Sequence, residues 1–153
     1  MRDLQDELLD GLETGIQDHI INASGSDTEV FSRLSAKFPV RASGIIWESV
    51  PKYRCQVSPR RNPPIGVYLP IIKRFLTQFA EEARIASDEV VCLVGNNITD
   101  LAFRMPFTAL LKFANHFFAI PQSWFVVKQD YSWCFCYSFE DDMYYGRCPE
   151  DEV

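Results

Sequence analysis

The stretch SWCFCYSFEDDMYYGRCPEDEV, residues 132–153, sets three cysteines and six carboxylates among aromatic rings, and its period decides what the chain builds. Side chains of an extended strand alternate between two faces. Over residues 132–139 that puts Trp133, Phe135, Tyr137 and Phe139 on one face and Ser132, Cys134, Cys136 and Ser138 on the other. One face is all large rings and the other all small groups, which suits a strand lying between two different packing layers. Glu140-Asp141-Asp142 then reads as a turn and DMYYG (142–146) as a second strand, while SWFVVK (123–128) is an earlier one joined through a turn at Gln129-Asp130. Three strands in succession with short connections form an antiparallel meander.

Working outward, PFTALLKFANHFF (106–118) opens on a proline and carries Phe107, Leu110, Leu111, Ala114 and Phe118 along one helical side; Pro121 stops it. EVVCLVG (89–95) is a short apolar run closed by Gly-Asn-Asn, the pattern of a buried strand. Pro70 suits the first turn of a helix bearing Ile72, Phe75, Leu76, Phe79 and Ala83. GIIWESV (44–50) reads as a strand, and PKYRCQVSPRRNPP (51–64) as a long basic loop around at most a brief strand. Ser26 and Glu29 have capping-box spacing ahead of a helix with Val30, Phe31, Leu34 and Phe38, and NASGSD (22–27) is a break. Leu4, Leu8, Leu12, Ile16 and Ile20 recur every four residues, one helical stripe running through Gly11 and Gly15. Each glycine costs about 1 kcal/mol against Ala there, so both should mark a bend or the close approach of another element. The order predicts a single α+β domain over 1–153: an antiparallel-rich sheet with a C-terminal three-strand meander, packed by about four helices.

At 153 residues, 47% of them hydrophobic and twelve of them Phe, the chain can bury a core without disulfides or metal. No apolar run reaches membrane-spanning length. The start, MRDLQDELLDGLETG, is acidic and helix-patterned, unlike a signal peptide, so the expected location is the cytoplasm with reduced thiols. The charge of −6 is uneven: residues 1–50 carry four basic and nine acidic groups, residues 51–100 seven and five, and residues 101–153 four and seven. This balance disfavours nucleic-acid binding and suits a basic protein partner.

The chemistry-bearing residues are few. Cys134 and Cys136 lack the paired knuckle spacing of structural zinc, so they read as buried small hydrophobes, with no metal and no cofactor. His19 and His116 sit in helical patterns, and no GxSxG, HExxH, P-loop or GxGxxG motif occurs. Asn22 and Asn97 begin glycosylation sequons that a cytosolic protein would not use. A carboxylate pair could run acid–base chemistry, but consecutive carboxylates at a wet turn stay ionised. Glu140, Asp141 and Asp142 read either as a solvated turn or as an acidic patch for a basic partner, extended by Tyr144, Tyr145 and Asp130. The basic loop, with Lys52, Arg54, Arg60, Arg61 and one stacking ring in Tyr53, reads first as a solvated loop, then as a contact for an acidic protein, and least as a nucleic-acid contact, since only Tyr53 could stack and the surrounding domain is negative.

An acidic N-terminal helix, then RMPFTALLKFANHFF (104–118), then strands in WFVVKQDYSWCFCYSFEDDMYYG (124–146) resembles the small immunity proteins of contact-dependent inhibition and related polymorphic toxin systems. The similar part is residues 88–147, with the spacing of Trp124, Asp130, Trp133 and Gly146. The resemblance implies a non-enzymatic cytosolic protein that binds and neutralises one cognate toxin domain, often a nuclease. Two other readings stand beside it: a small enzyme or subunit using scattered carboxylates and His116, and an adaptor using the basic loop.

Overall fold

A computed structural model describes residues 3–41, 44–57 and 64–149. They form an α+β fold around one seven-stranded antiparallel sheet. In chain order the elements are α1 (Leu4–Gly11), α2 (Glu13–Gln17), β1 (Asn22–Ser26), α3 (Asp27–Lys37), the short strands β2 (Val40–Arg41) and β3 (Gly44–Ile45), and a 3-10 turn at Trp47–Ser49. Then come β4 (Arg54–Gln56), α4 (Ile65–Ala83), β5 (Val90–Gly95), β6 (Leu101–Pro106), α5 (Phe107–Phe117), β7 (Trp124–Lys128), β8 (Trp133–Tyr137) and β9 (Met143–Arg147). The sheet order is β1-β6-β5-β7-β8-β9-β4, with β2 and β3 paired apart from it.

The sheet has a packed layer on each face, which is why its central strands are apolar on both sides. Cross-strand pairing aligns Leu93, Val126, Phe135, Tyr145 and Arg54 in one row and Val94, Phe125, Cys136, Tyr144 and Cys55 in the next. The first row meets α4 and α5. Phe79 makes near-perpendicular ring contacts with Trp133 (4.7 Å) and Phe135 (5.8 Å), and Phe75 approaches Tyr145 at 5.3 Å. The second row meets α3 and the 3-10 turn, through Val30, Leu34, Trp47 and Val50. Cys134 and Cys136 lie fully inside this second layer, the small-group side that the alternation predicts.

Several expectations are corrected. The N-terminal stripe is two helices, broken at Leu12 (φ −96°, ψ 2°); Leu8 and Leu12 are buried but Leu4 and Ile20 are exposed. Both glycines mark close approach: a Cβ on Gly11 would overlap the His116 imidazole, and one on Gly15 would press on Ile21 and Phe113. Most of the supposed break at 22–27 is edge strand β1, paired to β6 with a register shift between Ala23 and Ser26 where Gly25 has φ +85°. Its polar residues are mostly exposed, so tertiary pairing overrides a sequence of low strand propensity. Strand β6 is a further element that the apolar pattern does not reveal: Arg104 and Pro106 interrupt it, and pairing with β1 and β5 defines the strand. GIIWESV is a strand only at Gly44–Ile45; Trp47 turns inward instead and stacks on Tyr144 (5.4 Å, 7°), in space that Gly146 leaves open. Helix α4 starts at Ile65, after Pro64, and carries Pro70 inside it on its exposed side. One backbone bond is lost there, and burial of Tyr68, Ile72, Phe75, Leu76 and Phe79 offsets it. Among the described residues, no helix is long and apolar enough to cross a membrane.

Gln122 organises the loop after β5. Its Oε1 accepts the N–H groups of Asn97 (3.1 Å), Ile98 (2.7 Å) and Thr99 (3.3 Å), and its Nε2 donates to Thr99 Oγ1 (2.9 Å). The amide fits because residue 95 has no side chain; a Cβ there would overlap it. Gly95→Ala is therefore expected to cost about 1–3 kcal/mol by displacing the Gln122 amide from these donors, of which the Thr99 N–H is buried. The urea midpoint checks this, and a midpoint within error of wild type would remove Gln122 from its assigned role.

Candidate functional site

The β8–β9 turn, residues 138–142, is held by at least six hydrogen bonds. Within it, Asp141 N–H donates to Ser138 O (2.9 Å), Ser138 N–H to Asp142 O (2.7 Å) and Asp142 N–H to Ser138 Oγ (3.1 Å). From outside, Phe139 N–H donates to Ser123 Oγ (2.8 Å), Tyr68 Oη to the Asp141 carbonyl (3.2 Å) and Tyr137 Oη to Asp141 Oδ1 (3.0 Å). Asp141 takes the left-handed conformation (φ 68°) that reverses the chain. Burial, then the neighbouring Asp141 charge and hydrogen bond, push the Tyr137 hydroxyl well above its ordinary value, so it stays a donor.

The clamp decides what each carboxylate can do. Asp141 is half-buried and spends an oxygen on Tyr137. Asp142 is half-buried beside Cys55 and Tyr144; burial first, then the charges of Cys55 and Asp142, push the Tyr144 hydroxyl up to about 12. Glu140 is exposed, and so is Phe139, at 68%. The alternation that would bury Phe139 fails because β8 ends at Tyr137 and the clamp turns the next ring out.

The other predicted members of the patch lie elsewhere. Asp130 is in the β7–β8 turn, at the opposite end of the meander from residues 140–142. Partial burial raises its carboxyl, but hydrogen bonds from Ser132 and the Lys128 charge outweigh that and hold it low. Tyr145 alternates to the α4 face, buried against Phe75 and Phe79. Only Tyr144 shares the triplet's surroundings, stacked on Trp47.

What the turn borders is an open cleft of about 750 Å³ over the second sheet face. The second row floors it with Phe125, Cys136 and Tyr144, and Trp47, Ser138, Phe139 and Asn97 help line it. Its charged lining is Glu48, Glu140 and Arg41. Glu48, Trp47, Arg41 and Phe139 were not candidates from sequence. A strand reading of 44–50 hides the first two, and a solvent-facing Phe leaves no mark in hydrophobic periodicity. The chain matches no protein-family model and no curated protein.

His116 is on the other side of the sheet, packed by Gly11 and Phe113, so the carboxylate–His116 arrangement of the enzyme reading is not brought together at this cleft. Among the described residues no group of three or more His, Cys, Asp or Glu is placed to hold a metal. All five cysteines are free; Cys55 is exposed and the other four are buried. Burial raises the Cys134 and Cys136 thiols far above their ordinary value, which keeps them protonated and unreactive. Titration with a chromogenic disulfide is therefore expected to find one accessible thiol in the native protein and five after denaturation. Loss of the native signal in Cys55→Ser would confirm the assignment, and two or more fast native thiols would contradict the buried placement of the rest.

Proposed function

We propose that this chain is a cytoplasmic immunity protein that binds a basic toxin domain, of the nuclease kind, and neutralises it through the face around the β8–β9 turn. The observation that carries the reading is the clamped turn. It presents an exposed aromatic ring, Phe139, and an exposed carboxylate, Glu140, beside an open cleft with a second carboxylate, Glu48. A fixed turn loses little conformational freedom on binding, so its contacts translate into affinity. Aromatic anchors ringed by charge are the composition of a protein interface, and an acidic surface speeds encounter with a basic partner. The resemblance of residues 88–147 to immunity proteins supplies the partner class.

The test begins with the reading frame next to this chain's, which the proposal requires to encode a secreted toxin. Its C-terminal domain, expressed alone in the cytoplasm, is expected to arrest growth. Co-expression of this chain is expected to restore growth and give a stable complex on size exclusion. A domain that is harmless, or toxic but not relieved by this chain, removes the reading. Turnover of a small substrate by the purified chain with no toxin complex replaces the class altogether.

A further inference from the structure

Beside the large cleft lies a second hollow of about 280 Å³, between α3 and the β2–β3 pair. Its walls are Phe31, Leu34, Val40, Ile45 and Phe125, with Gly44 among them. The walls are preformed: Leu34 and Phe125 are buried, and the Phe31 and Phe125 rings meet edge to face at 5.4 Å. At Gly44 a Cβ would stand 3.5 Å from the Phe125 ring, an ordinary contact distance, so the backbone at 44 lies directly over that ring. A volume just under the usual range of about 300–1,000 Å³ for ligand pockets fits a fragment-sized molecule rather than a cofactor.

Among the described residues the polar side chains at the hollow are those of Arg41, Asn96 and Ser35, and Arg41 alone of these is charged. Asn96 Oδ1 already accepts the Ser123 N–H (3.1 Å), which leaves its amide as a donor. Ser35 Oγ donates to Ser32 O (2.8 Å), so its hydrogen is spent within the helix. The donors left to greet a ligand are thus a guanidinium and an amide N–H₂ above an apolar floor, with the Ser35 Oγ lone pairs as the one neutral side-chain acceptor among the described lining residues. A cation meets Arg41 in repulsion there. A planar carboxylate offers two acceptor oxygens to the guanidinium fork while its apolar body fills the hollow.

We infer that the hollow between α3 and the β2–β3 pair is a binding site for a small apolar carboxylic acid, with Arg41 and Asn96 holding the carboxylate and Phe125 flooring the apolar body. The inference needs no toxin, since it concerns a free small molecule, but its site adjoins the proposed toxin-binding face: Arg41, Gly44, Ile45, Asn96 and Phe125 line both the hollow and the cleft.

Three probes of one shape test it: 3-phenylpropionate, 3-phenylpropan-1-ol and 3-phenylpropylamine, each titrated into the full chain and followed by amide and methyl NMR shifts. The acid is expected to move the Leu34, Val40, Gly44 and Ile45 signals saturably. The alcohol should need roughly ten times the concentration, because it forgoes the charge-assisted bond, and the amine should be weaker still. Arg41→Met should bring acid and alcohol level, and Ser35→Trp should block both by filling the mouth. Both positions are exposed, so an unchanged melting temperature is expected to show that each variant is folded. Equal wild-type affinity for acid and alcohol overturns the proposal, as does acid binding undiminished in Arg41→Met. So does the absence of any saturable shift in those residues.

Discussion

Phe135→Ala is expected to lower stability by about 3–5 kcal/mol, the usual cost of truncating a buried Phe. The side chain is fully buried at the centre of β8 and touches rings of α4, Phe75 (6.0 Å) and Phe79 (5.8 Å), and of the residue that caps α5, Phe118 (6.4 Å). Several rigid rings would have to move together to close the gap, so the cavity should persist and the cost should sit high in that range. Urea unfolding of wild type and variant measures it. Because α4 and α5 both lean on this strand, Phe135→Leu should recover a good part of the loss by refilling volume. A Phe135→Ala midpoint near wild type would mean that the strand does not face these helices.

That facing was readable because a strand has a period of two and this one alternates rings with small groups. The same logic found the meander, the α5 helix and β5, where the apolar pattern is strong and punctuated by Pro or Gly. Legibility failed where an element is defined by its partner. Strand β1 is polar, glycine-containing and recognisable only through its pairing with β6. The segment at 44–50 is apolar enough for a strand, but after Ile45 it turns so that Trp47 stacks on Tyr144 over the second sheet face. The candidate site failed in the same way. Turn carboxylates were visible as a triplet, whereas the bonds that separate their roles come from Tyr68, Ser123 and Tyr137. Those partners are 73, 16 and 4 residues distant, and only the last is local.

Phe139→Ala is expected to weaken binding of the proposed toxin domain by about 2–4 kcal/mol, the range of an interface hot spot. Its effect on folding should stay within about 0.5 kcal/mol, since an exposed ring removed from a turn strands nothing. Glu140→Gln should act differently. As an exposed charge at the rim, it is expected to slow association and flatten its salt dependence while leaving dissociation nearly unchanged. Asp141→Asn cannot serve as the interface probe, even though it belongs to the same triplet. Its carboxylate receives the Tyr137 hydroxyl and its backbone holds the turn, so any loss there would mix disordering of the loop with loss of contact. Association and dissociation rates at two salt concentrations, measured for Phe139→Ala and Glu140→Gln against wild type, separate anchor from steering charge. If both variants bind as wild type does while this chain still neutralises the toxin, the β8–β9 turn is not the contact. The acidic face of α1, with Asp6, Glu7 and Asp10, then becomes the surface to test.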